Sequence, residues 1–207
     1  IYIKKIIRKD TLLICDSWKS VFAIPINIKN KIIVLAHGQE YLDPRKIDKI
    51  NLALSRASIL ISNSSFTKNL AKNVLNGSKL KHIVIPPTYF MDKSPARFKK
   101  TKNIIPNLLT LTRIDIRKGI TQTMEALSIL KKEFCEINLV VIGKLKQEGH
   151  TSRLIKRLGL ENSIQFKTNL TKKEIAEEYA CSSIAIVSSL YEGFGYPVIE
   201  AMSCSVP

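Results

Sequence analysis

The sequence predicts an α/β fold of two doubly wound parallel-sheet units, the first of them reduced, and three observations lead there. Short β-branched runs ending in Gly, Ser or Asn alternate with amphipathic stretches, the pattern of a parallel sheet covered by helices. The alternation lapses once, from Pro86 to Pro106 ("PPTYFMDKSPARFKKTKNIIP"), where proline and lysine give the composition of a linker. A length of 207 residues with 45% hydrophobic content leaves apolar material for packed cores on both sides of that lapse. The predicted boundaries are 1–90 for the first unit, 91–106 for the linker and 107–207 for the second unit.

The first unit is read in chain order as four strands and two helices. Its strands are Leu12 to Cys15, Ile32 to Ala36, Ile59 to Ser62 and His82 to Ile85. "DPRKIDKINLALSRAS" puts Ile47, Ile50 and Leu54 on one helical face, with Pro44 suited to a first turn. "SSFTKNLAKNVLNG" starts on serine caps, places Phe66, Leu70 and Val74 on one stripe, and stops near Asn76 and Gly77.

The second unit repeats the alternation more fully. The strand "NLLTLTR" leads to a helix from about Gly119 to Phe134, then come the strand "NLVVIG", the helix "TSRLIKRLG" and the strand "SIQFK". "TKKEIAEEYACS" opens with a Thr-x-x-Glu capping box and sets Ile175 and Tyr179 at i, i+4, and "IAIVSS" is the next strand.

Bulk properties narrow the function classes. A formal charge of +16 exceeds what solubility requires, and it suits either a solvated lysine-rich surface or a partner bearing phosphate. Cys15, Cys135, Cys181 and Cys204 form no C-x-x-C pair and stand at no zinc spacing from histidine, so reduced thiols in a cytoplasmic protein are expected. No apolar run approaches the roughly 20 residues of a membrane span. The opening "IYIKKIIRKDTLLICDSW" has basic residues before an apolar patch, but Asp16 interrupts it and no small-residue cleavage site follows, so no secretion signal is expected.

Two stretches could carry chemistry. In "SSLYEGFGYPVIEAMS" a strand ends near Ser188 or Ser189, and ligands of open α/β sheets bind beyond the carboxyl ends of strands, where Glu192 falls. Gly193 and Gly195 allow a tight turn with uncovered amides, and Pro197 suits the first turn of a new helix, whose start offers N–H donors to an anion. Glu200 then lies in the first or second turn, and its side chain leans back toward that start. In "LTLTRIDIRKGI", Arg113 ends a strand and Lys118 begins the next helix, a guanidinium fork and a point charge suited to holding a diphosphate. A solvated Gly-Pro turn and two surface cations are the plain alternatives for each stretch taken alone. Both stretches lying at strand ends of one sheet favours a joint site.

Taken together, "TRIDIRKG", "LVVIGK" and "SSLYEGFGYPVIEAMS" resemble the retaining GT-B glycosyltransferases of the family-4 type, whose hallmark is Glu-x7-Glu, here Glu192 and Glu200, preceded by Arg-x4-Lys, here Arg113 and Lys118. The resemblance covers nearly all of the second unit. In the first unit it is weaker and rests on "IIVLAHG", "ILISNSSFTKNL" and "HIVIPPTYF". It implies a GT-B fold of two Rossmann-like units and a metal-independent transfer of a hexosyl group, with retention, from a nucleotide-diphosphate sugar to an acceptor hydroxyl. No cofactor beyond that donor and no metal site is implied. By the resemblance, Arg113 and Lys118 neutralise the donor diphosphate and Glu200 accepts from the ribose hydroxyls. Glu192, with Gly193, Phe194 and Gly195, holds the donor sugar and phosphate, Gly143 belongs to the donor site, and His37 faces the sugar. Acceptors of the family are saccharides, lipid-linked sugars or glycans, and the lysine-rich first unit suits docking on an anionic membrane surface.

The sequence departs from the family pattern in four places. No glycine-rich loop precedes Leu12, Thr168 and Ser205 stand where glycine is common, and the chain ends at Pro207 where the family continues. A reduced first unit and a second unit lacking its last elements are therefore expected. Two other classes stay open: a module that binds nucleotide without turnover, and a basic protein that binds nucleic acid or an anionic surface. Against the last, "KKIIRKD" and "RFKKTK" lack interleaved aromatic platforms.

Overall fold

The structure is a computed structural model that describes residues 7–75, 80–88, 106–112, 116–144 and 148–207. It divides into two compact units, Ile1–Thr88 with Glu192–Phe194, and Tyr89–Tyr191 with Gly195–Pro207. Of the expected linker at 91–106, only Pro106 is among the described residues.

The first unit is a parallel sheet of β1 (Leu13–Cys15), β2 (Ile32–Ala36), β3 (Ile59–Ser62) and β4 (Lys81–Val84), in that spatial order. A 3-10 segment, Trp18–Ala23, makes the first crossover, and α1 (Ile47–Leu54) and α2 (Ser65–Val74) make the next two. Strand order that follows chain order places successive crossovers on one face, and the core shows it. Cys15, Val34, Ala36 and Leu60 from the strands pack with Trp18, Val21, Ile50, Ala53, Leu54, Ala71 and Val74 in a single cluster. The guanidinium of Arg56, just beyond α1, donates to the carbonyls of Val21 (3.1 Å), Ile24 (2.9 Å) and Pro25 (3.0 Å), so one side chain satisfies the end of the 3-10 segment. The other sheet face carries Ile33, Leu35, Ile59, Ile61 and Ile83, none of which joins a core cluster among the described residues.

Helix α2 turns Val74 and Leu70 of its predicted stripe toward the core, but not Phe66. Phe66 is 45% exposed, while Thr67, Ala71 and Val74 are buried. Ser64 is the N-cap, accepting from Thr67 N at 3.0 Å, and this fixes the phase of the helix so that Thr67 faces inward. The Thr67 hydroxyl has its own partner, described below, so its burial costs little.

The second unit is wound on both faces. Its strands β5 (Asn107–Leu111), β6 (Asn138–Ile142), β7 (Ile164–Lys167) and β8 (Ile184–Ala185) are parallel, in the order β7-β6-β5-β8. Helices α3 (Ile120–Leu130) and α4 (Glu148–Arg157) complete one face, where Met124, Leu127 and Leu154 pack on Leu108, Leu139 and Val141. Helices α5 (Lys172–Ala180) and α6 (Tyr196–Ser203) cover the other, where Tyr179 and Ala201 pack on Leu109 and Ile142. The capping box expected at α5 forms in both directions: Thr171 Oγ1 accepts from Glu174 N at 3.3 Å, and Glu174 Oε2 accepts from Thr171 N at 2.7 Å. Those bonds hold the Glu174 carboxyl below its ordinary range, the backbone N–H of Thr171 contributing most.

Helix α6 ends in a Schellman motif built on serine. Val206 N donates to Ala201 O at 2.9 Å, Ser205 N to Met202 O at 3.0 Å, and Ser205 takes φ +56°. Val206 is buried in the α5–α6 core, the apolar contact that accompanies this motif. A left-handed serine carries strain that glycine lacks, partly offset by the greater unfolded-state freedom of glycine. Ser205→Gly is therefore expected to raise stability by about 0.5 kcal/mol in urea unfolding. An unchanged or lowered midpoint would show that the serine side chain contributes more than its backbone strain removes. Among the described residues no helix is long and apolar enough to cross a membrane.

Candidate functional site

In the second unit the strand order reverses between β5 and β8, so the segments leaving their carboxyl ends diverge from a common point. Such switch points are where open α/β sheets take ligands. From β5 the chain reaches a 3-10 turn, Ile116–Lys118, then Gly119 and α3. From β8 it runs through Ser188 to Tyr191 and on to Glu192.

The two exits are joined by hydrogen bonds. Leu190 N donates to Arg117 O at 3.0 Å, and Arg117 reaches the Tyr191 hydroxyl at 3.4 Å. Ser188 Oγ donates to Lys118 O at 2.9 Å and lies 2.8 Å from Thr123 Oγ1. Gly119 sits at φ +67° with no space for a side chain, since a Cβ there would fall on the Ser188 carbonyl. Lys118 is thus held beside the segment that leads to Glu192. Arg113, the other predicted cation, lies outside the described residues.

Gly195 is the N-cap of α6 at φ +87°, a left-handed conformation that a residue with a Cβ adopts only under strain. Pro197 occupies the first turn, as its spacing predicts, and Glu200 falls in the second. The hydroxyl of buried Tyr179 lies 3.3 Å from Glu200 Oε2 and 3.2 Å from Pro197 O, which ties the carboxylate to the helix start. Gly143 follows β6 at φ +152° and donates its N–H to Lys167 O at 2.9 Å, so it closes the strand that neighbours β5.

Residues Glu192–Phe194 cluster with the first unit. Ser64 Oγ donates to Gly193 O at 2.5 Å, and Thr67 Oγ1 donates to the same oxygen at 3.3 Å, so the start of α2 meets both lone pairs of one carbonyl. Gly193 has no space for a Cβ, which would overlap His37 O, and Gly38, at φ +108°, lies against Thr67 and Gly193 Cα.

His37 follows β2, at the carboxyl end of the strand, and is exposed. Its backbone N–H donates to Glu40 Oε1 at 2.8 Å, and its ring Nε2 lies 2.8 Å from Asp16 O. A carbonyl only accepts, so Nε2 carries the hydrogen of this bond. The Asp16 side chain is in turn bonded by Ser20.

Of these residues the sequence points to Lys118, Glu192, Gly193, Gly195, Glu200 and His37 as ligand-facing, whereas it gives Ser188, Thr123, Ser64, Thr67, Tyr179 and Asp16 no ligand-binding role. Ser64 alone had a usable signal, because its N-cap role was legible in "SSFT". The others act through partners far away in sequence.

A family model described as Glycosyl transferases group 1 matches residues 92–207. Among curated proteins, the chain is 33% identical over 90 residues to the MMP alpha-(1->4)-mannosyltransferase of Mycolicibacterium hassiacum, covering 44% of this chain and 22% of that protein. It is 29% identical over 148 residues to the mannosylfructose-phosphate synthase of Agrobacterium fabrum, covering 63% of this chain and 33% of that protein. Among solved structures, a point mutant of S. aureus TarM bound to Fondaparinux, alpha-GlcNAc-glycerol and UDP superposes with a TM-score of 0.79 at 19% identity, covering 100% of this chain and 42% of that one. Anabaena HepE with UDP and glucose gives 0.76 at 19% identity, covering 95% and 57%. The chain therefore spans a third or less of these curated relatives and about half of these structures. The likeness to the solved structures establishes the fold.

Proposed function

Because the chain belongs to the glycosyl transferases group 1 family, we propose that it moves a sugar from a nucleotide-diphosphate sugar to an acceptor hydroxyl, with retention and without a metal ion. The fold, with two parallel-sheet α/β units, is the GT-B architecture. What carries the reading is the switch point of the second unit, where hydrogen bonds join the Lys118 turn to the segment that ends at Glu192.

Departure of a nucleoside diphosphate concentrates negative charge on its β-phosphate as the glycosidic bond breaks, and fixed donors aimed at that charge lower the barrier. Arg113 and Lys118 supply two cations, and the start of α6 adds oriented N–H groups. Glu200, held by Tyr179, accepts hydrogen bonds from the ribose hydroxyls. Glu192 and the amides of Gly193, Phe194 and Gly195 hold the sugar and phosphate, and Gly143 lets the backbone come close to the donor. His37 meets the sugar with a ring oriented by the Asp16 carbonyl. In a front-face course the acceptor oxygen bonds to the anomeric carbon on the side that the diphosphate leaves, and the departing phosphate oxygen takes the acceptor proton. The alternative is a double displacement, which needs a carboxylate nucleophile. The acceptor is a saccharide, lipid-linked sugar or glycan, and the basic first unit suits an anionic surface near it.

The test is transfer from a panel of nucleotide-diphosphate sugars in the presence of chelator, followed by proton NMR of the first-formed product. The expected outcome is a product with the anomeric configuration of the donor. An inverted anomer would overturn the retaining course, loss of turnover with chelator would overturn metal independence, and saturable nucleotide binding with no transfer would mark a binding module.

A further inference from the structure

Ser188 belongs to none of the roles assigned above, yet its hydroxyl is the centre of the hydrogen bonds around Lys118. A serine hydroxyl has one hydrogen and two lone pairs. The hydrogen goes to Lys118 O, 2.9 Å away, so the 2.8 Å contact with Thr123 is one in which Thr123 Oγ1 donates and Ser188 Oγ accepts. The result is a directed chain from the first turn of α3, through the exit of β8, to the backbone of Lys118. Thr123 Oγ1 also lies 3.1 Å from Gly119 O, so the same hydroxyl stands over the glycine that turns the chain into α3. On its other side Ser188 presents its own carbonyl to Gly119, at the point where a Cβ would fall.

We propose that Ser188 is a positioning residue of the donor site. Its hydroxyl fixes the backbone of Lys118, and so the placement of the lysine ammonium relative to a nucleoside diphosphate, in register with the segment that ends at Glu192. The proposal rests on the diphosphate-binding role of Lys118. A cation that stabilises charge only at the right place loses much of its effect when its backbone can shift, because misplacement by about 1 Å is enough to cost a large factor in rate. The proposal explains why a polar residue stands half-buried at this strand exit while its neighbour Leu190 is 78% exposed.

The experiment is a double-mutant cycle read by calorimetric titration of a nucleoside diphosphate and the matching nucleoside against the 207-residue chain. Ser188→Ala is expected to weaken the diphosphate roughly fivefold, the scale of one hydrogen bond, and to leave the nucleoside unchanged. Ser188→Thr, which keeps the hydroxyl, should recover most of that loss. In a Lys118→Met background Ser188→Ala should add nothing, because no ammonium remains to be misplaced. Thr123→Val supplies an independent break in the chain and should give the same diphosphate-selective loss. If Lys118→Met itself leaves diphosphate affinity unchanged, the reading of Lys118 fails. If Lys118→Met weakens binding but Ser188→Ala does not, or costs as much in the Lys118→Met background as in the parent chain, the role of Ser188 is overturned and the site stands. Equal losses for nucleoside and diphosphate would reduce Ser188 to a general packing residue.

Discussion

Replacing Arg113 and Lys118 together by methionine should lower sugar transfer by roughly 10³-fold or more, since loss of one well-placed charge-stabilising donor already costs about 10²- to 10³-fold. The size follows from where charge appears. In the donor the diphosphate shares its charge with the glycosidic bond, and as that bond breaks an additional unit develops on the terminal phosphate. Cations that gain most at that moment act on kcat, so kcat should fall more than KM rises. Bulk electrostatics would not produce this result. The double substitution removes two positive charges from a net of +16, leaving +14, so the long-range field hardly changes. The control is to neutralise Lys172 and Lys173, two exposed lysines at the start of α5. Turnover should be unaffected there. A double variant at 113 and 118 that turns over normally would remove the basis for metal-free diphosphate stabilisation. A rise in KM with kcat unchanged would limit both residues to holding the ground state.

Much of the architecture was legible because it depends on local chemistry. Most strand-sized β-branched runs, the Ser64 cap, the Thr171–Glu174 box and the Pro197 helix start are each set within about one turn of chain and form as the sequence predicts, whereas the run "IAIVSS" forms a strand only at Ile184–Ala185. The misses have a different physical origin. Phe66 looks like a core residue by spacing, but it is exposed, and Ala71 joins Leu70 and Val74 in the core while Thr67 is buried beside the Gly193 carbonyl. Helix α3 stops at Leu130, short of the predicted Phe134, and its last residues close in tighter turns, with Lys132 N bonded to Ile129 O and Glu133 N to Leu130 O. Ser188 could not be recognised at all from its neighbours. Its partners Lys118 and Thr123 are 70 and 65 positions away, and only the pairing of β5 with β8 brings them together. Motif spacing therefore finds the groups that would touch a ligand, while the groups that hold them are visible only once strands are paired.

Gly193→Ala should be among the most damaging single substitutions in the chain, lowering transfer by roughly 10²-fold with only a modest effect on stability. The added Cβ would lie 2.1 Å from the His37 carbonyl oxygen, a backbone atom that no rotamer change can move aside. Relief requires displacing Gly193 itself. That displacement breaks the bonds from Ser64 and Thr67 to its carbonyl, each of about 1 kcal/mol net, and carries Glu192 with it. The loss thus falls on the placement of a carboxylate proposed to hold the donor sugar. The two sheets and their cores are untouched by it. Ser64→Ala and Thr67→Val should show a weaker form of the same defect, because they remove the bonds without forcing the displacement. Gly149→Ala is the contrasting case. That glycine lies in α4 with no atom within 4 Å of an added Cβ, so alanine there should leave turnover intact and add about 0.5–1 kcal/mol of stability. If Gly193→Ala kept full activity while melting normally, the position of Glu192–Phe194 seen here would not be the one in which the protein works, and Glu192 would lose its assigned role. If it instead melted many degrees lower, the loop would be part of what holds the first unit together, and the kinetic loss would be a consequence of unfolding.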